Sequence, residues 1–118
     1  MEEIISVLFH SRTQAHIFHL QTDSYAQHIA LNKYYDGIVG LADGLAEAWQ
    51  GKYGKIQFKA VNGIEQYNGL ESIVAYFETI LKIVEEKRKA IKESYIQNLI
   101  DGIEELIYST LYLLKELK

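Results

Sequence analysis

Proline and cysteine are both absent from the 118-residue sequence, and each absence removes a class of structure. Because proline is the strongest helix breaker, a chain without it permits long uninterrupted helices. Without cysteine the chain forms neither disulfides nor thiolate metal sites, which is compatible with a reducing cytoplasm. We therefore expect a cytoplasmic, helical protein without covalent cross-links.

Long apolar runs and basic segments are missing as well. No stretch of about 20 apolar residues exists, so no transmembrane helix is expected, and the opening Met1-Glu2-Glu3 has no signal-peptide pattern. Twelve basic residues against 16 acidic residues give a net charge of −4. This balance argues against binding to a phosphate backbone. The sequence predicts contact with neither a membrane nor nucleic acid.

The chain has the size of one domain, residues 1–118, and its hydrophobic content of 48% is enough for a real core. Apolar residues recur at three- and four-residue steps in four stretches, which predicts four helices: roughly 2–20, 24–50, 68–89 and from 94 onward. Three of these begin with a capping-box pattern. The capping pairs are Ser24–Gln27, Asn68–Glu71 and Ser94–Gln97.

A long connection, residues 52–69, separates the second and third predicted helices. Ile56, Phe58 and Ala60 alternate in it, a pattern compatible with an ordered crossover, a short strand or a small helix. One long crossover between helices two and three is common in ferritin-like bundles. The predicted fold is therefore an all-α, ferritin-like four-helix bundle with a long crossover between helices two and three.

The second predicted helix has an apolar stripe and a set of glycines. The stripe is assigned to Tyr25, Ile29, Ile38, Ala42, Leu45 and Trp49. Gly37, Gly40 and Gly44 fall on one side of the helix, where each costs ~1 kcal/mol relative to alanine. Because glycines permit a close approach of a second helix, they predict a packed interface.

Two histidines and two carboxylates, His16, His28, Asp43 and Glu47, stand at spacings of twelve, fifteen and four residues. Imidazole and carboxylate together are the ligands expected of iron, and zinc and manganese fit the same set. Along one helix His28 and Asp43 lie ~22 Å apart at 1.5 Å per residue, so they cannot bind one ion within a subunit. Two subunits related by a two-fold axis, with antiparallel second helices, would bring the histidines of one to the acids of the other, twice per dimer.

The other readings of these side chains remain open. His19, one turn after His16, is compatible with an auxiliary ligand or an exposed side chain, and His10 with a structural or exposed one. Without a metal, His16 and His28 would be hydrogen-bonded interface or core histidines. The two carboxylates would then form salt bridges or helix caps.

The stretch from Ala15 to Gly51, AHIFHLQTDSYAQHIALNKYYDGIVGLADGLAEAWQG, resembles the signature of Dps-type mini-ferritins. In that family a histidine closes the first helix, a second follows twelve residues later, and Asp-x-x-x-Glu lies fifteen beyond it. The resemblance implies that His16 and His28 of one subunit bind iron together with Asp43 and Glu47 of its two-fold mate. It further implies ferroxidase activity with peroxide or dioxygen, iron storage or detoxification, and a homo-oligomer, a hollow dodecamer.

Two departures from that signature favour a second hypothesis. Ile17 and Ala48 stand where the family usually has tryptophan and arginine. The alternative is a non-catalytic, ferritin-fold structural or partner-binding protein of a kind that phages encode, with a vestigial metal site. A DNA-associated role is a third hypothesis, against which the acidic balance argues.

Overall fold

Four long helices make up the computed structural model, which describes residues 1–59, 63, 65 and 67–117. They are α1 (Glu2–Gln21), α2 (Tyr25–Tyr53), α3 (Gly69–Lys87) and α4 (Ser94–Glu116), with a short 3-10 helix, Arg88–Ala90, before α4. No strand occurs in this described part of the chain. The prediction of an all-α fold with four helices is confirmed, and the ferritin-like assignment remains a prediction.

The helices form a ring of four around one core, in which α1 packs on α2, α2 on α4, α4 on α3 and α3 on α1. Lys87 at the end of α3 forms an ion pair of 3.1 Å with Glu3 at the start of α1. At the opposite end, the backbone N–H of Tyr67, just before α3, donates to Gln21 at the end of α1. The helix α3 therefore runs antiparallel to α1. Because the short turn between α1 and α2 makes these two helices antiparallel as well, α3 runs parallel to α2.

The connection between α2 and α3 must travel back along the whole bundle, because the two helices point the same way. The 29 residues of α2 correspond to ~44 Å at 1.5 Å per residue. The longest dimension of the molecule is 43 Å. The helix α2 thus spans the full length of the bundle, and its two ends lie at opposite ends of the molecule.

Side chains of α1 hold this connection in place. His10 Nε2 donates to the carbonyl oxygen of Gly63 at 2.8 Å, and His10 Nδ1 lies 2.6 Å from the Tyr76 hydroxyl, from which it accepts. The Gln14 amide donates to the carbonyl of Glu65 at 2.8 Å and accepts from the N–H of Glu65 at 2.7 Å. These bonds confirm the structural role of His10 and attach Gly63 and Glu65 of the crossover to α1.

The described residues of the crossover belong to neither a strand nor a helix, so those two alternatives are wrong for Ile56 and Phe58. Ala60, the third member of the predicted alternation, lies outside the described residues. The crossover begins at Gly54, which ends α2 with a φ of 91°. A residue with a Cβ would be strained in that conformation.

Of the three predicted capping pairs only Ser24–Gln27 forms, and only with one of its two bonds, because the N–H of Ser24 donates to Thr22 Oγ1 instead of to Gln27. The N–H of Gln27 donates to Ser24 Oγ at 3.2 Å. Asn68 makes no side-chain cap, and the cap residue of α4 is Glu93. The Gln97 side chain is diverted, because it donates to two backbone carbonyls of the turn between α3 and α4.

The core takes side chains from all four helices, and the largest fully buried ones are Tyr34, Phe18 and Phe77. Tyr34 meets Phe77 edge-on, with ring centroids 4.7 Å apart. Its hydroxyl lies 2.7 Å from Ser11 Oγ. Because Ser11 donates its own proton to the Leu8 carbonyl, Tyr34 must be the donor to Ser11.

No helix in the described ranges combines the length and the apolar character needed to cross a membrane.

Candidate functional site

Three histidines meet where α1 ends and α2 begins. The rings of His19 and His28 stack with centroids 3.6 Å apart and an interplanar angle of 22°. The ring of His16 meets that of His19 edge-on at 5.8 Å. The predicted ligands His16 and His28 therefore lie at the same end of an antiparallel helix pair, and His19 contacts both of their rings.

The stacked histidines donate to each other's backbone. His19 Nδ1 is 2.8 Å from the carbonyl oxygen of His28, and His28 Nδ1 is 3.0 Å from the carbonyl oxygen of His19. A carbonyl oxygen only accepts, so Nδ1 carries the proton in both rings. In its neutral form each ring therefore keeps a lone pair on Nε2, which is the tautomer that binds a metal ion through that atom.

His19 is 8% exposed, so the expectation of an exposed side chain is wrong. Its ring is covered because it packs between His28 and Tyr35, whose ring centroid lies 5.2 Å away. The two reciprocal bonds join the last turn of α1 to the first turn of α2. This role was not visible in the sequence, where only the spacing of His19 from His16 pointed to the site.

His16 is half-buried and stacks on Tyr35, with ring centroids 4.2 Å apart and an angle of 15°. None of the described residues hydrogen-bonds to the ring nitrogens of His16. The Tyr35 hydroxyl donates to Asn32 at 2.9 Å, which fixes the ring under His16. The plane of the His16 imidazole is thus set by packing, and its nitrogens remain open to a ligand.

A shallow surface pocket of about 280 Å³ lies beside His28. Its lining comes from the turn between the two helices and the start of α2: Thr22, Asp23, Ser24, Tyr25 and His28. The pocket gives solutes from solvent a path to this end of the histidine cluster.

Asp43 and Glu47 are exposed and lie one turn apart on α2. Within the described ranges neither forms an ion pair or a hydrogen bond. The alternative interpretation of these carboxylates, as a salt-bridged or capping pair, is therefore not realised among the residues that the structure describes. Two exposed carboxylates on one side of a helix are too few ligands to hold a cation by themselves.

The glycines of α2 divide into two groups. A Cβ at Gly37 would lie 3.2 Å from the side chain of Leu106 on α4, so this glycine serves packing within the chain. A Cβ at Gly40 or Gly44 would meet nothing within 4 Å. The predicted close approach of a second helix is therefore confirmed for Gly37, with α4 as that helix, whereas Gly40 and Gly44 face open space.

Exposed residues run along one side of α2 from its first turn to its last, a surface that we call the open face. Its members are Tyr25, Ile29, Lys33, Asp36, Gly40, Asp43, Gly44, Glu47 and Gly51. At ~100° per residue they fall within an arc of about 100°. Tyr25 is 78% exposed and Ile29 is 49% exposed, so their assignment to the buried stripe is wrong.

The open face carries its apolar residues beside the histidine cluster and its carboxylates toward the other end. Within one chain, no group of three or more histidine, aspartate or glutamate side chains of the described residues is arranged to hold a metal ion. The four predicted ligands thus lie in two separate pairs on one molecule.

The comparisons with known proteins add a family but no activity. Comparisons with curated proteins and with solved structures found no match. The model of a family described as "Family of unknown function (DUF5856)" matches residues 19–114. This range includes His28, Asp43 and Glu47 and begins after His16. Because the match covers most of the 118 residues, the chain belongs to this family of unknown function, DUF5856.

Proposed function

We propose that two copies of this chain pack through the open face of α2 and together bind and oxidise Fe²⁺, as in the Dps-type mini-ferritins that the sequence resembles. One observation carries the proposal: two complementary half-sites lie toward opposite ends of the long helix α2. His28, whose Nε2 is available, lies in the first turn of α2, with His16 of α1 at the same end of the bundle. The exposed carboxylates Asp43 and Glu47 lie toward the other end of α2. Each half-site supplies the ligands that the other lacks.

An antiparallel pair of α2 helices joins these halves. If the two-fold axis passes beside Asp36, residues equally far from it in opposite directions lie level with each other. His28 is then level with the partner's Gly44, and the partner's Asp43 and Glu47 lie on either side of that level. Such an isologous contact forms every interaction twice, which gives two equivalent sites per dimer.

The surface of the open face supports this packing. Gly40 and Gly44 leave space for a second helix. Tyr25 and Ile29 offer apolar area that the chain itself leaves exposed. By the same symmetry Asp36 lies level with the partner's Asp36, a like charge. Lys33 lies within one turn of the axis, so that two Lys33–Asp36 pairs across it would offset this repulsion.

The donor set fits iron. Two imidazoles and two carboxylates match the mixed nitrogen and oxygen preference of Fe²⁺, and the carboxylate charges favour the Fe³⁺ product. Hydrogen peroxide takes one electron from each of two Fe²⁺ ions and, with two protons, leaves as two water molecules; dioxygen is the other candidate oxidant. The proposal includes the ferritin-like fold, storage of the oxidised iron as mineral, and a dodecamer. Zinc and manganese would occupy the same ligands.

Substitution of both half-sites tests the proposal. Wild-type protein given Fe²⁺ and peroxide should show growing near-ultraviolet absorbance from Fe³⁺. A His28→Ala, Glu47→Ala double variant should oxidise Fe²⁺ at least ~10-fold more slowly, because it loses ligands of both types. Glu105→Ala, which removes an exposed carboxylate on α4, is the matched control and should behave as wild type. Equal rates in wild type and the double variant would refute the site.

A structural or partner-binding role is the second candidate, and the reciprocal bonds of His19 and His28 favour it. Those bonds join α1 to α2 without any metal, which would suffice to explain the two side chains. Solution mass and metal content separate the candidates. A metal-free protein after purification with Fe²⁺ supports the structural role, and an iron-loaded oligomer supports the ferroxidase.

A further inference from the structure

We propose that His19 is a positioning residue that holds the His28 imidazole in one orientation, with Nε2 free for a metal ion. The inference deepens the proposed function and rests on His28 being a ligand there. Three contacts carry it: the stacked rings at 3.6 Å, the bond from His28 Nδ1 to the His19 carbonyl, and the reverse bond. Each restricts a different movement.

The stacked ring restricts the plane of His28. His28 is only half-buried, so little else holds its ring. The ring of His19 stacks on it, whereas the nearby ring of His16 stacks on Tyr35. His19 itself is 8% exposed and is held from a second side by Tyr35. A buried ring fixed from two sides is a rigid surface for a neighbouring ligand, and a ligand ordered before binding loses less entropy when it binds.

The carbonyl of His19 sets which nitrogen of His28 holds the proton. A hydrogen bond from one ring nitrogen of histidine determines the tautomer and hence the nitrogen left for the metal. The bond persists only while the ring stays in the stacked plane, because Nδ1 must point at the carbonyl. The ring and the backbone of His19 therefore act together on His28.

His19 is unsuited to bind the same ion as His28. The lone pair on Nε2 lies in the plane of each ring, and the two planes are nearly parallel at an angle of 22°. An ion in the plane of one ring, ~2.0–2.1 Å from its nitrogen, lies well outside the plane of the other. The stacked geometry thus favours orientation of His28 over shared ligation.

Two substitutions at His19 distinguish the contribution of its stacked ring from that of its ring nitrogen atoms. His19→Phe keeps a stacked ring and the backbone carbonyl, and His19→Ala removes the ring. In metal-free protein, the ring ¹⁵N chemical shifts of neutral His28 should report a proton on Nδ1 in wild type and in His19→Phe. In His19→Ala they should shift toward a mixture of both tautomers, while circular dichroism reports an intact helical fold.

A Co²⁺ titration measures the consequence for the site. We expect His19→Ala to bind Co²⁺ about 10- to 100-fold more weakly than wild type, and His19→Phe to restore most of the affinity. Equal tautomers and equal Co²⁺ affinity in wild type and His19→Ala would overturn the role of His19 alone. A wild-type protein that binds no Co²⁺ would instead overturn the metal site and, with it, this role.

Discussion

Replacement of Gly44 by arginine is expected to separate the protein into folded monomers that no longer oxidise Fe²⁺. Nothing lies within 4 Å of a Cβ at this position, so the chain itself accommodates the side chain. Arginine also has a higher helix propensity than glycine by ~1 kcal/mol. In the proposed dimer the same side chain would stand between two helices and beside an imidazole. We expect association at least ~100-fold weaker, or about 2.7 kcal/mol.

Light scattering and thermal unfolding together check this prediction. Gly44→Arg should show the mass of one chain, 13.6 kDa, and a melting temperature no lower than that of a wild-type monomer. Ala75→Arg, a small-to-arginine change at an exposed position of α3, is the matched control and should keep the wild-type mass. A Gly44→Arg variant with the wild-type oligomeric mass would contradict the interface through the open face.

Alkaline pH is expected to unfold the protein through two tyrosines that lie in its core. Tyr34 is 0% exposed and Tyr76 is 5% exposed. Burial raises the pKa of Tyr34 well above its usual value, although the hydrogen bond with Ser11 opposes the shift. Burial first, and then the proximity of Tyr34 and Glu65, raises the pKa of Tyr76 as well. Both hydroxyls thus stay protonated in the folded protein where they would ionise in the unfolded chain.

The sign of the effect follows from proton linkage. Below pH ~10 the folded protein and the unfolded chain both hold these protons, so the two tyrosines do not lower the free energy of unfolding. Above it the unfolded chain releases them and the folded protein does not, so stability falls by ~1.4 kcal/mol per pH unit for each tyrosine. Between pH 9 and pH 11.5 the two together should cost about 4 kcal/mol, a large fraction of the ~5–15 kcal/mol typical of a domain.

Urea unfolding across this pH range measures the loss. Tyr34→Phe should lower stability by about 1 kcal/mol at every pH, because Ser11 loses its hydrogen-bond donor. Above pH 10 the further decrease in its free energy of unfolding should be about half that of wild type, because only Tyr76 remains. Tyr25→Phe, at a position that is 78% exposed, should lose as much as wild type. An equal alkaline loss in Tyr34→Phe and wild type would contradict the assignment.

The helices were predictable because their apolar residues recur at helical spacing, whereas their ends depended on contacts between distant residues. The helix α2 was expected to end near Gln50 and continues to Tyr53. Gly51 weakens this last turn locally. The ring of Tyr53 packs on Trp49 at 4.2 Å and its hydroxyl bonds to Glu93, and these contacts extend the helix.

The direction of the apolar residues of α2 was only partly predictable. Ile38, Ala42 and Leu45 are buried as expected. Tyr25 and Ile29 lie ~100–180° around the helix from them, on the open face. An apolar residue has the same signature whether it faces the core of its own chain or another surface, so composition could not distinguish the two. The angular positions, counted at ~100° per residue, would have separated them.

The candidate site was predictable in its elements and not in its internal contacts. Helix geometry placed His16 with His28, and Asp43 with Glu47, because both statements depend only on spacing and on one antiparallel turn. The role of His19 depends on which carbonyl its ring meets across two helices. The stacking of Tyr35 on His16 depends on the rotation of α2 against α1. Spacing along the chain does not determine either contact.

Mixing two inactive variants tests the central claim, a site shared between subunits, most directly. His28→Ala subunits keep the carboxylates, and Asp43→Ala, Glu47→Ala subunits keep the histidines. Each alone should oxidise Fe²⁺ no faster than the buffer. After co-expression in equal amounts, random pairing gives intact sites at ~1/2 × 1/2, or about one quarter of the wild-type number, whatever the size of a symmetric oligomer. We predict about one quarter of the wild-type rate. A mixed oligomer that is as inactive as its two parents would contradict the shared site.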